Sequence, residues 1–220
     1  MKVIAVLSLA LAALTPPQSE RPPLHPTTPS PRGGGPGLDV VLMIDVSHST
    51  VHPGYFKFDR ELVPEAAAAF GSVLEPADRA WLGTFGATIA ITPTALTGAA
   101  AVAQAAAGFA DAIGGSSPLW DALDTAATAL EGATGRRAII VVTDGRSTAN
   151  RIGFAEILSR LERDRLPVFV VALDLRGVAG ADPAVRLRQL AEKTGGRYLF
   201  VKRGGVGVVI NRAVAALRGE

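Results

Sequence analysis

Cysteine is absent from the 220-residue chain. That excludes disulfide frameworks, thiolate metal sites, cysteine nucleophiles and lipid attachment at an N-terminal Cys. Aromatic residues make up only 5%, and no Lys/Arg run interleaves with them, so a stacking platform for nucleic acid is missing and no nucleic-acid partner is expected. Net charge is just +2. The sequence pI of 9.3 reflects 18 arginines against 4 lysines rather than a large positive excess, and it points to no particular class of partner.

What is present begins with a core: 48% of residues are hydrophobic, ample for one good-sized domain. Met1 and Lys2 precede an apolar run, VIAVLSLALAAL, whose length of about a dozen residues suits a signal-peptide core and is short for a spanning helix. Ala10 and Ala12 offer an A-x-A cleavage point. Residues 1–15 are therefore expected to be a signal peptide and the mature chain secreted, periplasmic or otherwise extracytoplasmic. Left uncleaved, the same segment would anchor the chain, the one membrane involvement the sequence supports. Residues 16–37 hold eight of the fifteen prolines and close on Gly33, Gly34, Gly35 and Gly37, a composition that buries no core and reads as a disordered linker.

Residues 38–220 alternate strand and helix patterns, as a doubly wound sheet requires. Residues 38–45 (LDVVLMID), 137–143 (RAIIVVT) and 168–173 (VFVVAL) are continuous apolar runs, the appearance of central parallel strands buried on both faces. Residues 79–85 and 88–92 are short strands joined through Gly86 and Ala87, too tightly for a crossover helix, so this pair is expected to be antiparallel. A last strand spans 197–201. Helices are expected over 58–74, 99–110, 119–130, 154–165, 184–194 and 206–217, and no internal repeat is visible.

Chemistry concentrates where the central strands end. Asp45 closes the first, and Ser47 and Ser49 follow at alternate positions. Three hard oxygen donors so close together suit a hard cation such as Mg²⁺, although Asp and Ser also populate ordinary turns. Asp144 closes a second central strand. In the order 3-2-1-4-5-6, the strands ending in Asp45 and Asp144 flank the switch point where open α/β sheets bind ligands. A third loop, Gly114-Gly115-Ser116-Ser117-Pro118, precedes a helix opening LWDAL. Ser117 reads there as an N-cap with Pro118 at the first helical position, a role compatible with lending a lone pair to a cation.

Through these three motifs the chain resembles the von Willebrand factor type A (VWA) domain with its metal-ion-dependent adhesion site. DVSHS matches the family's Asp-x-Ser-x-Ser, GSSPLWDAL its Gly-Gly-Thr loop and helix, VVTDGRST its Thr-Asp-Gly, and LAEKTGGRYLFV its last helix and strand. The resemblance implies a doubly wound (Rossmann-like), mostly parallel six-stranded sheet of order 3-2-1-4-5-6 with one antiparallel edge strand and helices on both faces. It implies a metal held directly by Ser47 and Ser49, mostly through water by Asp45 and Asp144, and directly or through water by Ser117. The metal would be Mg²⁺, with Mn²⁺ or Ca²⁺ as alternatives, and its open position would take water or the Asp or Glu of a protein partner. Serine stands where the family usually has threonine, and Ser116 rivals Ser117 as the ligand. His48 replaces the small residue usual between the two serines and is expected at the rim.

Other functions fit less well. A haloacid-dehalogenase-like phosphotransferase needs a second acid two residues after Asp45, and position 47 is serine. A serine hydrolase needs a G-x-S-x-G elbow and a nearby base; no elbow exists, and the histidines are His25, His48 and His52. No enzyme activity is expected, and a metal-independent structural module is the nearer alternative. Trp81 and Trp120 read as packing residues, Asp121 as a first-turn acid able to accept from a metal-bound water, and Arg146 and Asn150 as residues of the binding face or plain surface.

Overall fold

The computed structural model describes residues 37–51, 61–109, 114–173, 183–201 and 205–220. The expected leader and all but the last residue of the expected linker lie outside this set, as do residues 58–60 at the expected start of the first long helix.

One sheet of six strands carries the architecture, in the order β3-β2-β1-β4-β5-β6. β1 (Leu38–Asp45), β2 (Arg79–Phe85), β4 (Arg136–Thr143), β5 (Val168–Leu173) and β6 (Tyr198–Val201) are parallel to their neighbours, and β3 (Ile89–Ile91) lies antiparallel on the β2 edge. This is the sheet that the sequence and the resemblance lead one to expect. The central strands are apolar throughout because helices cover both faces: every residue of β1 is buried. Its side chains alternate between two cores. Val40, Leu42 and Ile44 pack with α2 (Leu62–Ser72), α3 (Gly98–Ala107) and α7 (Val206–Arg218). Val41 and Met43 pack with α4 (Leu119–Ala129), α5 (Phe154–Asp164) and α6 (Pro183–Thr194). Each fully buried Val, Leu or Ile stabilises the fold by roughly 1.5–3 kcal/mol, so the two-faced burial of β1 makes it the backbone of the domain. Trp81 and Trp120 are both in the second core, 9% and 4% exposed, as packing residues should be.

Two buried acids pin the end of the sheet where β1 begins. Asp39 takes Arg79 through two parallel bonds of 2.7 Å and the Gly135 amide at 2.6 Å. Asp78 accepts the amides of Leu38 and Glu75, each at 2.8 Å, and pairs with Arg218 from the end of α7.

Two local expectations change. The segment after Asp45 is not an open loop but passes into a single helical turn, α1 (His48–Val51). Thr50 closes it, its hydroxyl donating to the Ser47 and Asp45 carbonyls at 2.8 and 3.1 Å. Ser117 is not the N-cap of α4: Pro118 occupies that position with ψ of 60°, and no side chain of the cap residue bonds the helix. The Ser117 hydroxyl is drawn instead toward the end of β1.

Candidate metal centre

The parallel register sets Ile44 beside Val142, so Asp45 and Asp144 leave adjacent strands at the same end of the sheet. The Asp45 carboxylate is fully buried and becomes the centre of a hydroxyl cluster. Its Oδ1 accepts the Ser47 amide at 3.0 Å, and its Oδ2 accepts the Thr143 hydroxyl at 2.8 Å and the Ser117 hydroxyl at 3.1 Å. The Ser47 and Ser49 hydroxyls lie 3.2 Å apart. Asp144 is 4% exposed; its Oδ1 accepts the Arg146 amide at 2.8 Å. Its Oδ2 is buried with no hydrogen-bond partner.

Ser47, Ser49, Ser117, Asp45 and Asp144 are thus gathered from three loops. Of the two candidate serines of the third loop, Ser117 is 2% exposed and bonded to Asp45, whereas Ser116 is exposed. His48 is exposed too, its ring over Gly114 and its amide donating to the Gly115 carbonyl at 3.2 Å, which places it on the rim. The third loop can reach the strand ends because Gly115 has φ of +85°, and a Cβ there would sit 2.4 Å from Ala87 Cα.

Two acids buried side by side disfavour ionisation. Burial, then the neighbouring Asp144 charge, pushes the Asp45 carboxyl up from 3.8 to about 7, against the bonds from Ser47 and Thr143. Burial likewise raises Asp144, opposed by the Ser49 hydroxyl, the Arg146 amide and the Arg146 charge. Such a pair is electrostatically incomplete by itself and favours a cation. Among the described residues no three histidines or acids cluster as a metal site, so a cation held here would rest on hydroxyls beside the two acids. Oxygen donors of this kind fit Mg²⁺ or Mn²⁺ and not a thiophilic metal.

The sequence pattern, the six-stranded order and this three-loop geometry converge with the von Willebrand factor type A domain family, whose model matches residues 39–205. The chain belongs to that family. No curated protein matches it in sequence. Solved VWA-type folds do match. BatB from Bacteroides thetaiotaomicron is 16% identical with a TM-score of 0.66, and the match covers 84% of this chain and 100% of that one. An aerotolerance-related membrane protein from Bacteroides fragilis is 15% identical with a TM-score of 0.67 over the same shares, 84% and 100%. The manganese-loaded TRAP protein of Plasmodium vivax is 17% identical with a TM-score of 0.56, covering 81% of this chain and 73% of that one. At these identities the likeness is one of fold.

Within the VWA domain, several residues have roles that the sequence does not announce. Thr143 is one, visible only as the first letter of Thr-Asp-Gly. Asp121 is the first-turn acid of α4, and its oxygens accept the main-chain amides of Arg151 and Ile152. Asn150 has a structural role as well: its Oδ1 accepts the Trp120 amide at 2.7 Å and so caps α4 from another loop. Nothing local marks a cap that comes from 30 residues away. A cleft of about 810 Å³ lies at the other end of β4 and contains none of these residues; Arg160 on its wall is held by Asp124, Glu131 and Asp164.

Proposed function

We propose that this VWA domain binds Mg²⁺ in the Asp45, Ser47, Ser49, Ser117 and Asp144 cradle and uses it to take up the Asp or Glu side chain of a protein partner. The observation that carries this reading is two acids buried side by side where adjacent strands end, with serine hydroxyls around them and the Asp45 carboxyl raised to about 7. Two carboxyls buried beside three serines are matched to a hard cation. When bound, the cation supplies a positive centre that attracts a carboxylate, because hydroxyl ligands leave its charge undercompensated. The protein residues do the rest: Ser47 and Ser49 present oxygens from α1 and the loop before it, Thr143 and Ser117 orient Asp45, and the Arg146 amide orients Asp144.

A binding module fits the site better than a catalyst, since Asp45 has serine rather than a second acid two residues on. The manganese-loaded relative supports a divalent ion in this fold, and the membrane protein among the relatives supports a place at a membrane. Thermal unfolding in Mg²⁺ and in chelator tests the reading. A ligand that binds only the folded state at 100 times its Kd adds about 2.7 kcal/mol, and Ser47→Ala should remove that gain while leaving the fold intact. Wild-type protein that unfolds identically in both solutions is the metal-independent module instead. Capture of a partner that survives chelation would defeat the carboxylate bridge.

A further inference from the structure

Asp121 stands in the first turn of α4, is 6% exposed, and contributes nothing to the cradle directly. Its oxygens accept the Arg151 amide at 3.1 and 3.0 Å, the Ile152 amide at 3.1 Å and Arg151 Nε at 3.3 Å. A carboxylate has about four acceptor positions; three hydrogens occupy them here, the Arg151 amide being shared between both oxygens. Because the Arg151 side chain is 87% exposed, its ion pair is screened and weak; the charge-assisted bonds from the two main-chain amides are the durable part.

The same two segments are joined again at each step toward the cradle. Trp120 N–H donates to Asn150 Oδ1, and Asn150 Nδ2 donates to Ser147 Oγ at 2.8 Å. Ser117 N–H donates to Thr148 Oγ1 at 2.9 Å, and Thr148 N–H donates back to the Ser117 carbonyl at 2.7 Å. Between them Ala149 holds φ of +57°, a left-handed backbone that a non-glycine residue keeps only when its surroundings dictate it. The loop after Asp144 is therefore fastened along its length to the segment that carries Ser117.

We infer that Asp121 is a positioning residue for the metal centre: by locking the 144–153 loop to the first turn of α4, it presets the separation of Ser117 and Asp144. This rests on the metal reading above. The rival is that the cation itself gathers the two loops and Asp121 serves stability alone. Asp121→Asn keeps the shape of the side chain but turns one acceptor into a donor facing amides. Mg²⁺ affinity is measured by calorimetry at a temperature where circular dichroism shows the variant folded. In chelator, amide exchange is followed at Ser117, Trp120, Arg151 and Ile152. Supporting groups of this kind typically contribute 10–100-fold to metal affinity, so a loss of tenfold or more is expected, with faster exchange at Ser117 and Trp120 as well as at Arg151 and Ile152. Asp39→Asn, at the far end of the sheet, should lower the unfolding temperature with unchanged Mg²⁺ affinity. Should Asp121→Asn fail to fold, Asn150→Ala, which leaves the Asp121 bonds in place, should weaken Mg²⁺ in the same direction by a smaller factor. Wild-type protein that binds Mg²⁺ while the variants bind it equally well overturns the positioning role alone, as does exchange that quickens only at Arg151 and Ile152. Wild-type protein that takes up no Mg²⁺ overturns the metal reading, and this role with it.

Discussion

Ser117 Oγ donates to Asp45 Oδ2 at 3.1 Å although the two residues are 72 positions apart. The bond ties the third loop to the first through Ser117, while the adjacent Ser116 is exposed. Ser117→Ala should lose the Mg²⁺-dependent rise in unfolding temperature and, in chelator, cost about 1 kcal/mol for the bond to a buried carboxylate. Ser117→Thr keeps the hydroxyl and should keep the Mg²⁺ response, and Ser116→Ala should change neither quantity. An undiminished response in Ser117→Ala would remove Ser117 from the site.

Asp144 and Asp45 oppose each other when no cation is present, and burial raises both carboxyls. Asp144→Asn removes one buried charge, and its Oδ1 can still accept the Arg146 amide that bonds the native residue. In chelator the variant should therefore unfold later than wild type, because burial no longer opposes a charge at this position. In saturating Mg²⁺ the order should reverse, since the variant forgoes the cation's contribution of about 2.7 kcal/mol at 100 times Kd. Denaturant unfolding in both solutions reads the crossing. A variant less stable in chelator as well would show that Asp144 is structural.

Gly115 carries the third loop past the β2–β3 turn, where the Ala87 amide donates to the Gly114 carbonyl at 2.6 Å and the Gly114 amide donates to the Val46 carbonyl at 2.7 Å. With φ of +85° and Ala87 Cα only 2.4 Å from where a β-carbon would sit, an added side chain meets backbone rather than a flexible tip. Gly115→Ala should destabilise the domain by more than about 2 kcal/mol, combining left-handed strain with displacement of the loop. It should also weaken Mg²⁺ binding, because Ser117 moves with that loop. Calorimetry and chemical denaturation on the same sample separate the two losses, and an unchanged Mg²⁺ affinity would mean that the loop tolerates the shift.

That β1, β4 and β5 are central was legible because they are unbroken apolar runs that two-sided burial explains, and the antiparallel return because the Gly86-Ala87 link is too short for a crossover helix; the order itself was implied by the doubly wound pattern and the VWA resemblance. The convergence of Asp45 with Asp144 followed from strand order. What stayed hidden lies in contacts between loops. Asp-x-Ser-x-Ser reads as a turn, and the helical turn after it forms because Thr50 bonds back to Ser47 and Asp45. Ser117 looks like a cap until its hydroxyl finds Asp45, and the capping is done by Asn150 from a separate loop. Local pattern cannot foresee a partner 30 or 72 residues away.

Asp78 provides the pH dependence. It is fully buried and joins the start of β1, the end of α2 and the end of α7 through the Leu38 amide, the Glu75 amide and Arg218. Burial raises its carboxyl, but the hydrogen bond from Arg218, the two amides and the Arg218 charge outweigh burial and hold it below the usual 3.8. A carboxyl depressed in the folded state binds fewer protons there than in the unfolded chain, so its contribution is complete above the unfolded value and fades as pH falls through the folded one. Asp78→Asn should therefore cost about 3 kcal/mol near neutrality, as when one partner of a buried ion pair is removed. The gap between wild type and variant should stay level from about pH 7 to pH 5 and narrow below about pH 4, as the wild-type carboxyl is protonated. Arg218 retains the Val73 carbonyl at 3.0 Å and Glu75 at 3.3 Å in both proteins, so the narrowing belongs to Asp78. Urea unfolding of both proteins across this range measures it, and a gap that remains constant down to about pH 3 would show that neutral hydrogen bonding, not charge, is what Asp78 contributes.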